Sequence, residues 1–466
     1  MVEDLFDKKE IGWKTIDENR KNEIFNFCDN YMNFLGKAKI EREFVNEARK
    51  AAETHGFRDL INFEKINPGD KVYFVNRDKS MYLAVIGKEK LENGINIIGA
   101  HIDSPRLDLK PNPLSEEGGL AYLKTHYYGG IKKYQWTTIP LSIHGVIIKR
   151  DGEKIDINIG EDENDPIFTI TDLLPHLAQD QMQKKLSNGI EGENLQVLVG
   201  SIPYQAENEE EEKTLKETVK LNILNILNKK YGITERDFVS SELEVVPAFK
   251  PKSLGLDSSM IAAYGQDDKV CAYTSLQAIL KTENVEKTAV CILSDKEEIG
   301  SMGNTGMESH MFDFFVSELL NKSGENRPNL LDKLFCFSKM LSSDVDAGFD
   351  PLYASVSDVK NAGYLGKGIS LNKYTGARGK SGASDANAEY VSYVRNMLEE
   401  NDIKYQVAEL GKVDVGGGGT IAYILANKGV DVIDCGVPVL SMHAPYEVTS
   451  KFDVYEAYRT YKSFWR

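Results

Sequence analysis

"INIIGAHIDSPR" (Ile95–Arg106) runs from an unbroken apolar stretch straight into His101, Asp103 and Arg106. An apolar run with no polar alternation reads as a buried strand. Polar groups at the end of such a strand are costly unless they are solvated or put to use. His101 and Asp103 stand two apart, so extended backbone points them the same way. A carboxylate beside an imidazole fixes the ring's tautomer, and that pair recurs around metal ligands. Taken alone, a His-x-Asp pair is more often a loop hydrogen bond. What decides between the two is the company the rest of the chain supplies.

Outward from this stretch, residues 15–55 read as helical, and "KVYFVNR" (71–77) and "MYLAVIG" (81–87) as strands. Beyond 247 buried strands return in "KTAVCILSD" (287–295), "YQVAEL" (405–410) and "VDVIDCGVPVL" (430–440). Helical segments fall near 268–281, 306–321, 385–399 and 418–428. Alternating strands and helices predict an α/β fold, a mainly parallel sheet with helices on both faces. Between 111 and 247 the texture differs. Short runs such as "LSIHGVIIKR", "KIDINIG" and "LQVLVGS" are separated by turn residues and predict a β-rich unit. The acidic run "AENEEEEK" (206–213) reads as a solvated lead into a helix, where Leu215, Val219, Ile223 and Leu227 repeat every four residues. The expectation is one α/β domain, 1–110 together with 248–466, interrupted by a β-rich insertion at 111–247.

At 466 residues the chain can bury more than one sizeable core. Its 41% hydrophobic and 27% charged residues exclude wholesale disorder. The formal net charge of −16, from 56 basic and 72 acidic residues, and the absence of a long Lys/Arg run argue against nucleic-acid binding. No stretch approaches the roughly 20 apolar residues that span a bilayer. The N-terminus "MVEDLFDKKEIGWK" shows no apolar leader. Cys28, Cys271, Cys291, Cys336 and Cys435 are odd in number and widely spaced, and read as reduced, buried thiols of a cytoplasmic protein.

In open α/β sheets sites form at the carboxyl ends of strands. "INIIGA" is followed by His101 and Asp103, "AVCILS" by Asp295, Glu297 and Glu298, and "DVIDCGVPVLSM" by His443. "KMLSSDVDAGFDP" places Asp344 after a short apolar segment, and Asp267-Asp268 stands just ahead of an apolar helix. Carboxylates and imidazoles without thiolates suit zinc, manganese or cobalt. Two such ions about 3.5–4 Å apart need a bridging carboxylate and further ligands on each side. His101, Asp267, Glu298, Asp344 and His443 suffice, with one carboxylate as the bridge. Neighbouring side chains of a strand diverge, so Glu297 and Glu298 share a site only where the chain bends. One of them can then bind metal while the other accepts a proton from the water the ions activate. Singly, each feature has an ordinary explanation: a solvated glutamate pair, a capped helix, a loop histidine. Their joint occurrence at strand ends argues for a site.

Five segments occur in order: "GAHIDSPR", "GQDDKVCAY", "DKEEIGS", "SSDVDAGFDP" and "PVLSMHAPYE". The chain thereby resembles the M18 aminopeptidases, the aspartyl aminopeptidase family. "HYYGGIKKYQW" (126–136), "LLPHLAQ" (173–179) and "GGTIAYILA" (418–426) extend the likeness over nearly the whole length. The resemblance implies a dinuclear metalloaminopeptidase holding two divalent ions, zinc first, with manganese or cobalt as alternatives. It puts one ion on His101 and Asp344 and the other on Glu298 and His443, with Asp267 bridging. Asp103 would orient His101, and Glu297 would be the general base. It further implies peptide substrates, an inserted dimerisation domain, and a homo-oligomer built from dimers, up to a tetrahedral twelve-subunit shell.

The likeness also implies substrate-side roles for Lys373, within "SLNKYTGARGK" (370–380), and His176. A cation there would favour acidic N-terminal residues. Asp180 departs from the family pattern, which has a second histidine at that position, and a carboxylate would repel an acidic side chain. Neutral or broader specificity is the competing expectation. "VDVGGGGTIAY" (413–423) lacks the spacing of a dinucleotide loop and reads as a flexible approach to the site. Two further functions compete: an amide deacylase or carboxypeptidase on the same dinuclear site, and a non-catalytic self-assembling binding shell.

Overall fold

The strand Asn96–His101 lies within a nine-stranded sheet of the computed structural model, which describes Leu5 and residues 10–466 except 207, 326 and 377. Parts of three sequence expectations therefore fall outside the described residues: most of the N-terminal stretch read for a leader, Glu207 of the acidic run, and Ala377 of the basic loop. Chain contacts separate two compact units, one of Met1–Ser104, Pro251–Met442 and Tyr446–Arg466, the other of Pro105–Lys250 and His443–Pro445.

In the first unit the sheet is mixed. Its strands Ala289–Ser294, Asn96–His101, Lys339–Ser342 and Asp431–Gly436 are adjacent and parallel. Ser80–Val85 and Ile369–Asn372 join this set antiparallel on either side. Ser80–Val85 runs that way because it closes a hairpin with Lys71–Asn76, whose turn residues Arg77 and Asp78 both take φ 55°. Alternation in sequence reports burial but not strand direction, so the mixed order could not be read from it.

The parallel register brings three strand ends together. Ser294 lies opposite His101, and Ser342 opposite Gly99. The residues just beyond each strand therefore emerge at one edge of the sheet. Side chains alternate across its faces. Ile97, Val290 and Ile292 pack into one core with the helices Met311–Ser323 and Leu330–Cys336. Ile98, Ala100, Cys291 and Leu293 pack into the other, with Glu18–Leu35, Glu41–Thr54, Gln266–Leu280 and Lys451–Phe464. A five-stranded sheet in the same unit contains Pro438–Leu440, so the run expected as one strand at 430–440 is two, in different sheets.

The second unit carries a six-stranded antiparallel sheet and the helix Thr218–Tyr231. Leu215 precedes that helix. An apolar cavity of ≈ 820 Å³ lies inside this unit, lined by Leu109, Ile143, Leu198, Ile223 and Leu243 among others. One expectation is corrected: Cys336 is exposed, while Cys28, Cys271, Cys291 and Cys435 are buried and all five are free. Cys336 ends a short helix whose Leu334 and Phe335 take the inward positions. No described helix is long and apolar enough to cross a membrane.

Candidate metal centre

His101 is the last residue of its strand and only 2% exposed. Two residues later Asp103 is fully buried, with Oδ1 3.3 Å from His101 Nδ1. The same carboxylate accepts the backbone N–H of Glu297 on Oδ1 at 3.1 Å and that of Glu298 on Oδ2 at 3.2 Å. The glutamates sit in a single 3-10 turn after Ala289–Ser294, flanked by Lys296 at φ 68° and Gly300 at φ 97°. These left-handed residues supply the bend that lets adjacent side chains serve one site.

Asp267 and Asp268 begin the helix Gln266–Leu280 but have non-helical backbone, after Gly265 at φ 70°. Asp344 follows the strand Lys339–Ser342. His101 Nε2 lies 3.2 Å from Asp267 Oδ1, 3.7 Å from Asp344 Oδ1 and 3.8 Å from Glu297 Oε2. Candidate ligand atoms of His101, Asp267 and Glu298 all lie within 4.8 Å of one another, as do those of His101, Asp268 and Asp344.

Sequence reasoning gave Asp268 no role, because only one of two adjacent aspartates was needed to complete a ligand set. Here Asp268 is fully buried and its Oδ2 accepts the His101 backbone N–H at 3.2 Å. Glu447 was also missed. Its Oε2 accepts the Asp267 N–H at 3.0 Å, and a contact to backbone leaves no signature in side-chain spacing.

The electrostatics show what the cluster lacks. Burial, together with the neighbouring charges of Asp344, Asp103 and Asp267, pushes Glu297 up to about 8 against the opposing pull of His101. Burial likewise raises Asp344 and Asp268. Burial disfavours the charged His101 ring, yet hydrogen bonds to Asp103, Asp267 and Asp344 outweigh it and hold the imidazole protonated well above its usual range. Left to itself, the cluster gathers protons. An imidazole among buried carboxylates, three of them pushed towards their protonated form by burial, fits zinc, manganese or cobalt.

The other expected residues are placed as follows. His443 follows Pro438–Leu440, takes φ 64°, and its Nδ1 lies 2.8 Å from the Gly130 carbonyl oxygen, both within the second unit. His176 is exposed on the 3-10 turn Pro175–Leu177 of that unit. Lys373 Nζ pairs with Asp385 Oδ1 at 2.9 Å, and Lys380 takes the other oxygen at 3.0 Å.

Buried carboxylates around a histidine at the end of a parallel strand suit a divalent-metal site of the kind metal-dependent hydrolases use. The chain belongs to the M18 family, the aminopeptidase I zinc metalloproteases, whose family model matches residues 34–465. A relative from Clostridium acetobutylicum named "Probable M18 family aminopeptidase 1" is 52% identical over all of this chain (100%) and 99% of its own length. The crystal structure of an M18-family aminopeptidase from Thermotoga maritima superposes with a TM-score of 0.94 at 47% identity, covering 99% of this chain and 100% of that one. Aminopeptidase I from C. acetobutylicum superposes at 0.91 with 48% identity over 99% and 100% of the two chains. The chain is accordingly a metalloaminopeptidase with an α/β fold.

Proposed function

We propose that the protein removes the N-terminal residue of peptides at a dinuclear centre, with zinc as the preferred ion and manganese or cobalt as substitutes. His101 and Asp344 would hold one ion, Glu298 and His443 the other, and Asp267 would bridge them. Supporting this is the convergence of His101, Asp267, Glu298 and Asp344 from four separated segments. When bound, the ions polarise the scissile carbonyl and bring the pKa of water towards neutrality. Glu297 takes the proton of the attacking water and returns it to the leaving amine. Asp103 holds the His101 ring and, through two amides, the turn that aims Glu297.

The preferred N-terminal residue is neutral, or the specificity is broad. Asp385 already engages both Lys373 and Lys380, which speaks against a lysine kept for acidic substrates. Residues 1–110 with 248–466 serve as the catalytic domain and 111–247 as the dimerisation domain of a cytoplasmic homo-oligomer, for which the family resemblance is the support.

The test compares wild type with Glu297→Gln on aminoacyl substrates, with ion content measured alongside. Glu297→Gln is expected to keep its ions and lose about 10²–10⁴-fold in kcat. Near-normal turnover would refute the role of Glu297. Equal cleavage of free and N-acetylated peptides would favour a deacylase instead.

A further inference from the structure

We propose that Lys269 and Ser104 are positioning residues that fix the main chain of Asp267 and thereby aim its carboxylate at the metal centre. The inference rests on the ligand role proposed above for Asp267.

Lys269 is completely buried, and a buried ammonium is costly unless it is matched to acceptors and put to use. Its Nζ donates to Ser104 Oγ at 2.6 Å. An ammonium has no acceptor, so the serine oxygen must accept from it and send its own O–H elsewhere. That hydroxyl reaches the Asp267 carbonyl oxygen, also at 2.6 Å. The direction of the relay is thus set by chemistry: ammonium to hydroxyl to carbonyl.

The backbone gives an independent sign that this space is kept for the relay. Gly265 takes φ +70°, and a Cβ at that position would lie 2.9 Å from Lys269 Nζ and 3.0 Å from Ser104 Oγ. A side chain at 265 would therefore push the relay apart as well as strain the turn. On its other side Asp267 donates its N–H to Glu447 Oε2 at 3.0 Å. Both peptide groups flanking the Asp267 Cα are held, which leaves the carboxylate only its own side-chain torsions. Its Oδ1 stands 3.2 Å from His101 Nε2. A bridging ligand tolerates little error in position, because one displacement disturbs two ions at once.

The experiment uses the full-length protein loaded with cobalt(II), comparing wild type with Ser104→Ala, Ser104→Thr and Lys269→Met. The readouts are the visible cobalt spectrum and the zinc dissociation constant from competition with a chelator. Ser104→Ala and Lys269→Met are expected to alter the spectrum and weaken zinc binding by about 10–100-fold. Ser104→Thr keeps the hydroxyl and should restore both. Wild-type spectra and affinities in Ser104→Ala, or no recovery in Ser104→Thr, would overturn the inference alone. If Lys269→Met does not fold, Ser104→Ala decides. A wild-type protein that binds no ion would instead overturn the metal-centre reading, and this inference with it.

Discussion

Asp103 concentrates three contacts in one carboxylate: the His101 ring and the amides of Glu297 and Glu298. Each of its oxygens faces a backbone N–H, so an amide in its place would turn a donor towards a donor. Leaving a buried donor unpaired costs about 1–3 kcal/mol. Asp103→Asn is therefore expected to lose about 10–100-fold in zinc affinity or kcat/KM. Asp103→Glu, which restores the charge at a different reach, should recover ion binding better than turnover. Unchanged ion affinity and kinetics in Asp103→Asn would show that its contacts to the turn and ring are incidental. The sequence made the His101–Asp103 pairing legible because extended backbone places alternate side chains together. The grip of Asp103 on the glutamate turn was not legible. It runs to main-chain N–H groups almost two hundred positions away, and every residue type but proline carries those.

Strands delivered the candidate ligands, and this was readable from the sequence wherever a carboxylate or histidine followed an apolar run. The elements beside them were less so. Asp434, within Asp431–Gly436, accepts the Thr420 hydroxyl at 2.7 Å and so ties down the glycine-rich loop. That loop in turn receives the Gly376 N–H on the Gly418 carbonyl at 2.6 Å. Burial, with the charges of Asp344 and Asp346, pushes Asp434 up to about 7 despite the Thr420 and Ser342 hydroxyls. An unfolded aspartate titrates near 3.9, roughly, so the folded state binds this proton more tightly. The resulting stabilisation is fully present below about pH 4 and is lost as pH rises through about 7. Its slope is at most one proton, about 1.4 kcal/mol per pH unit. The melting temperature of wild type relative to Asp434→Asn should therefore fall between pH 5 and pH 8, roughly the span this linkage covers. A constant gap would place the titration elsewhere. The sequence assigned the loop a flexible character and gave Asp434 no part, because its partner is a threonine known only from the fold.

At the scale of the whole chain, the segments carrying His101, Asp267, Glu298 and Asp344 meet only when the sheet and the helix Gln266–Leu280 have formed. The unfolded chain holds no such cluster, so ions bind the folded form and stabilise it by mass action. The gain is about 2.7 kcal/mol for each site at one hundred times its dissociation constant. Among the described residues both candidate groups lie in the first unit, and His443, the further ligand proposed above, belongs to the second. Removing ions with a chelator should thus lower the melting temperature of the protein by several degrees. Calorimetry of the stripped protein is expected to show a transition that climbs back as zinc is added. The buried carboxylates give the direction: without ions they take up protons, so stripping should destabilise most at alkaline pH, where those protons are lost. Unfolding indifferent to chelator and zinc at every pH would mean that the carboxylates are neutralised from within the fold, and the case for a metal centre would fail.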